Sequence, residues 1–224
     1  VAAKLLIAQR SSGSTSAGIV LSAAMHLLGR MILAKKFPYE MVALLELANQ
    51  TGDALTDLER QTFSESQSEM LARLLSKWNI PQDIIGPLQY LDSTYSELVS
   101  LNRAHRDDAE LVKIAVSIGW LAVGKWEAWD LVEIPPSSVF RHHCNTSLRD
   151  IINRTRDGLA ESLAGLGETS SLLVGGSKGI PCNYHCAGEA DVDFIREMLP
   201  SLELNAGSAG RNDQLLTVVN GLNG

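Results

Sequence analysis

Three cysteines and five histidines carry most of the chemistry open to this chain, and they are unevenly spread. Cys182, His185 and Cys186 sit in one short segment, while His142, His143 and Cys144 run consecutively upstream. Thiolate and imidazole are ligands that zinc favours, so Cys182, His185 and Cys186, closed by Cys144, could build a tetrahedral site. The spacing is not that of a zinc knuckle, and a helix-length segment separates the two parts. Free thiols in a loop are the simpler alternative. His26 stands alone on an apolar stretch, where a ring bonded to a neighbouring group explains it without a metal. Gly175-Gly176-Ser177-Lys178-Gly179 has the look of a phosphate loop but not the Walker spacing, and reads as a turn. Asp107-Asp108 reads as a helix cap. Trp120, Trp126 and Trp129 read as core and edge packing, or as a partner surface where exposed.

The elements that must position these residues are helical. Apolar content is 45% of the chain but aromatics only 5%, so Leu, Ala, Val and Ile must fill the core, which favours helices packed on helices. Ile19 to Lys36 is apolar on nearly every side and is expected to be one central helix, ended by Pro38. Tyr39 to Asn49 forms a second, closed by Gly52. Thr56 with Glu59, Ser66 with Glu69 and Thr94 with Glu97 have the spacing of capping boxes. Pro81 opens a helix through Leu88, Asp107 or Asp108 is expected to cap one over Leu111 to Val123, and Ser147 to Leu166 makes the last strong one. Beyond Gly167 the chain turns Gly- and Ser-rich, with one short helix expected over Asp191 to Leu199. The expected organisation is therefore an all-α bundle over 1–166, followed by a loop-rich appendage or linker over 167–224.

Charge and cysteine usage narrow the partners. A net charge of −7 repels phosphate backbones, and no basic patch overrides it, so nucleic acid is excluded. An odd cysteine count fits a reducing, cytoplasmic setting better than a disulfide framework. The stretch Ile19 to Leu33 is interrupted by Ser22, His26, Gly29 and Arg30 and is too short for a bilayer, so no membrane is expected. The first residues carry no signal-peptide pattern.

Met25-His26-Leu27-Leu28-Gly29-Arg30-Met31-Ile32-Leu33 resembles the motif of HD-superfamily phosphohydrolases. Phe37-Pro38-Tyr39-Glu40, Glu59 to Phe63, and Trp78-Asn79-Ile80-Pro81 then follow in an order and spacing similar to the HDOD signalling domains. The resemblance runs over roughly Ala2 to Leu166. It implies an HD-like helical bundle and a role in bacterial signal transduction. It also implies where a metal would sit, and there the sequence departs from the pattern. His26 matches the motif histidine, but Leu27 replaces its aspartate, Gln67 a second histidine, and Leu91-Asp92 a later histidine pair. His26 and Asp92 are left as vestigial ligands.

These replacements remove the divalent ion that would activate water against a phosphoester. The expected function is a non-catalytic regulatory module, without cofactor, that binds a protein partner or a fused output domain. Two alternatives belong to other classes. One is a residual metal-dependent phosphohydrolase acting on a nucleotide or cyclic dinucleotide. The other is a nucleotide-binding sensor that keeps the cleft without hydrolysis.

Overall fold

Leu111, Val112, Ile114, Ala115, Ile118, Leu121 and Ala122 are all buried, on a helix that is wrapped on several sides. The computed structural model describes residues 1–9, 16–123, 132–165 and 184–186. Its helices are α1 (Ala2–Ile7), α2 (Ser16–Met25), α3 (Leu28–Lys36), α4 (Pro38–Thr51), α5 (Leu55–Phe63), α6 (Gln67–Lys77), α7 (Gln82–Gln89), α8 (Tyr95–Leu98), α9 (Arg103–Val123), α10 (Ser137–His143) and α11 (Leu148–Gly165). The fold is all-α; among the described residues its one extended feature is a short parallel pairing of β1 (Val132–Ile134) with β2 (Tyr184–Cys186), Val132 opposite Tyr184. β2 falls in the segment expected to be a loop-rich appendage. The rest of that segment, the short helix expected over 191–199 included, lies outside the described residues, as do Trp126 and Trp129.

α9 is the hub. It packs against α1, α2, α7 and α11. Its apolar residues share one cluster with Leu6 of α1, Ile19 of α2, Phe140 of α10 and Ile151 of α11. A second cluster joins α3, α4 and α5 through Leu33, Met41, Leu44, Ala48, Leu55 and Leu58. A third joins α6 to α7 through Leu71, Leu75, Ile85 and Leu88, with Met25, Leu28 and Ile32 packed on it.

The single helix expected over Ile19 to Lys36 is two helices. In an unbroken helix the Arg30 N–H would donate to the His26 carbonyl. Here the Gln67 side-chain amide enters between them: its Nε2 donates to the His26 carbonyl at 3.0 Å, and its Oε1 accepts from the Arg30 N–H at 3.2 Å. A polar side chain inserted into the backbone ladder breaks a helix while leaving both groups satisfied. Nor is the segment buried all round, because α3 lies at the edge of the bundle with Met31 67% exposed. By length and composition, residues 17–36 could cross a membrane, with mean hydropathy 1.7. In this fold they bend at His26-Leu27 and pack on α7, α9 and α6.

Two of the three expected capping boxes form, at Ser66 with Glu69 and at Thr94 with Glu97. Thr56 with Glu59 does not: Ala54 is the N-cap of α5, and Glu59 faces inward to other partners. Asp107 and Asp108 are not caps either. α9 begins earlier, where the Asn102 side chain accepts from the His105 N–H at 3.1 Å. Ser147 caps α11 by accepting from the Asp150 N–H, and Gly52 closes α4 in the left-handed region at φ 77°. Glycine alone adopts that conformation at no steric cost.

Candidate functional site

A cleft of about 220 Å³ opens where the α2–α3 turn faces α5, α6 and α9. Its walls include His26, Leu27, Arg30, Arg60, Gln67, Leu91, Asp92, Lys113 and Trp120. The structure thus brings His26 and Asp92, read from the sequence as vestigial ligands, together with Leu27, Gln67 and Leu91. Each of the polar side chains among them has a structural partner. His26 Nδ1 donates to the Ala23 carbonyl at 2.8 Å, and its ring meets Trp120 edge-on at 6.1 Å between centroids. The Gln67 amide is engaged with the α2–α3 turn. Asp92 accepts from the Ser66 hydroxyl at 2.6 Å and from the Ser68 hydroxyl.

The start of α6 concentrates this chemistry. An α-helix leaves its first N–H groups without intrahelical acceptors, and anionic oxygens there are stabilised by the helix dipole. Glu69 accepts from the Ser66 N–H at 2.7 Å, and Ser66 Oγ from the Glu69 N–H at 3.3 Å. The buried Glu59 carboxylate accepts from the Gln67 N–H at 2.9 Å and from Arg30 Nε at 3.1 Å. Burial raises the Glu59 pKa, against the opposing pull of the Arg30 guanidinium and the Gln67 N–H. Glu69 is held below the usual range because its bonds to Ser66 and Arg60 outweigh its desolvation.

The cations in the cleft are likewise committed. Arg60 pairs with Glu69 at 3.3 Å and Asp57 at 3.5 Å. Lys113 pairs with Glu133 at 3.1 Å and donates to the carbonyls of Leu91 at 3.0 Å and Ser93 at 2.6 Å. Glu133 in turn accepts from the Tyr95 N–H at 2.9 Å, so one carboxylate ties α8, α9 and β1 together.

The residues present do not fit the divalent ion of a phosphohydrolase. Leu27 has no lone pair, and the Gln67 carbonyl oxygen, a weak ligand in any case, is occupied by the Arg30 N–H. Of the second expected arrangement, only Cys144 has a described side chain. Cys144 is buried, and its thiol faces Gln9 Oε1 at 3.5 Å and the Thr146 carbonyl at 3.4 Å. Cys182, and the side chains of His185 and Cys186, lie outside the described residues.

The family model of the HDOD domain matches residues 1–94, somewhat under half of the chain. The resemblance read from the sequence is thereby found from α1 through α7. α9, which supplies Lys113 and Trp120 to the cleft, lies beyond the matched segment. No curated protein and no solved structure gives a match.

Reading the sequence alone missed the roles of Glu59, Lys113 and Glu133. Glu59 has the spacing of a capping partner, which hides its use by a helix eight residues further on. Lys113 is a charge in the middle of an apolar helical run, and that was the available signal: a lysine so placed must find buried acceptors.

Proposed function

We propose that this chain is a non-catalytic signalling module of the HDOD type, acting through a protein partner or a fused output domain. The observation that carries the reading is the Gln67 amide. At a position where the phosphohydrolase pattern implies a ligand, it holds the α2–α3 turn in shape. The cleft has become a joint between helices. Its arginines and lysine are engaged by carboxylates, which disfavours a phosphate-bearing ligand as occupant. The surface offers an alternative: Tyr39 is 87% exposed on α4, with Val42 and Leu47 also exposed, and apolar residues of that size favour a protein contact.

The test is hydrolysis and ligand binding by the purified chain. With magnesium, manganese or iron(II) supplied, model phosphodiesters and cyclic dinucleotides should remain intact, and neither they nor mononucleotides should raise the melting temperature. Turnover abolished by His26→Ala or Asp92→Ala would establish the phosphohydrolase reading instead. A melting shift without turnover would establish the nucleotide sensor.

A further inference from the structure

Near the start of α9, another group of ligating side chains meets. His142 and His143 end α10 and pack against the first half of α9, their rings 4.8 Å apart between centroids. One ring nitrogen from each and one carboxylate oxygen of Asp107 lie within 4.8 Å of one another. His142 Nε2 is 3.7 Å from Asp107 Oδ1. Tetrahedral zinc with bonds of about 2.05 Å separates its ligand atoms by about 3.3 Å, so small side-chain rotations close the site.

His143 supplies the decisive observation. Its side chain is fully buried, and Nε2 lies 2.9 Å from Glu110 Oε2. A carboxylate can only accept, so Nε2 carries a proton, and in the neutral imidazole, the form that ligates a metal, Nδ1 carries the lone pair. Nδ1 has no hydrogen-bond partner among the described residues. A buried nitrogen without a partner is costly, and a cation coordinated by its lone pair would remove that cost. The Glu110–His143 bond is also the arrangement by which proteins fix the orientation and basicity of a metal-bound imidazole. Arg106 Nε lies 3.8 Å from Glu110 Oε1.

We propose that Asp107, His142 and His143 bind a divalent transition metal of the zinc type, clamping α10 to α9. Two imidazoles and a carboxylate favour zinc over magnesium or calcium, which take oxygen ligands. His142 is 48% exposed, so the fourth position opens to solvent and is filled by water. The site is separate from the cleft, and its ligands differ from the Cys144, Cys182, His185 and Cys186 set.

Calorimetric titration of Zn²⁺ into the chelator-treated full chain tests this, alongside Co²⁺ absorption. The Cys182→Ser/Cys186→Ser variant should still bind one equivalent, and its cobalt form should show tetrahedral bands without thiolate charge transfer. His142→Ala and Asp107→Asn change side chains that solvent reaches, and each should weaken binding by at least about tenfold while circular dichroism stays helical. Glu110→Gln should weaken it by about 10- to 100-fold, as loss of an orienting partner does. Absence of zinc binding in the cysteine variant would overturn the proposal. So would an affinity unchanged by both His142→Ala and Asp107→Asn.

Discussion

Tyr95 is 2% exposed, and its hydroxyl has no hydrogen-bond partner among the described residues. Its backbone N–H is held by Glu133, and Lys113 Nζ lies 5.1 Å from its ring centroid, a cation–π contact that a phenyl ring would keep. Replacing Tyr95 by Phe therefore removes an unsatisfied group and little else. The expected gain is about 1 kcal/mol, read as a higher urea midpoint near neutral pH. Burial, assisted by the Glu133 and Glu110 carboxylates, holds the phenol pKa well above its ordinary value. The folded protein then keeps a proton that the unfolded chain releases above about pH 10. Stability is full below that pH and lost as pH rises towards the folded pKa. The advantage of Tyr95→Phe should accordingly widen between about pH 9 and about pH 11. A variant less stable than the parent at neutral pH would mean that the hydroxyl has a partner in solution.

At the scale of elements, Gly29 decides how α3 meets α6. A Cβ built on Gly29 would lie 2.1 Å from the Gln67 carbonyl oxygen and 2.7 Å from its Oε1. The inserted amide and the glycine thus require each other. Gly86, in α7, has nothing within 4 Å of the same atom. Alanine in place of glycine favours a helix by about 1 kcal/mol, so Gly86→Ala should stabilise by up to that amount. Gly29→Ala should instead destabilise by about 1–3 kcal/mol, because backbone and Gln67 must shift. Thermal melts of the two variants should move in opposite directions; parallel shifts would show that α3 and α6 are not in this contact. The same region shows what a sequence can and cannot display. Helix ends were legible where the signal is local, as at Ser66, Thr94, Pro38 and Gly52. The break at His26-Leu27 was not, because its cause is a side chain about 40 residues away acting through two hydrogen bonds. Leu27, Gln67 and Leu91 could be singled out together from the sequence, and the structure places all three on one cleft. What Gln67 does there, and the meeting of His142 and His143 with Asp107, depends on helices distant in the chain.

For the molecule as a whole, the family match ends at residue 94 but the core does not. Leu6 of α1 and Ile19 of α2 are buried in the same cluster as Leu111 and Ile118 of α9 and Ile151 of α11. α1 packs on both α9 and α11, so the matched segment closes its apolar faces with helices that follow it. Such a chain should unfold as one cooperative unit through α11, since the cluster around α9 draws on helices from both parts. Ile118 is 1% exposed, and Ile118→Ala should cost about 2–5 kcal/mol through lost transfer energy and the cavity left behind. If the core is shared, the loss reaches elements that Ile118 belongs to only through α9. In native-state hydrogen exchange, the most protected amides of α6 and α7 should weaken by the same free energy as those of α9 and α11. The comparison of these two groups decides the matter. Equal losses mean that α9 is structurally part of the domain whose family pattern stops before it. A loss confined to α9, α10 and α11 would mark residue 94 as a true boundary and leave the cleft lying between two independently stable units.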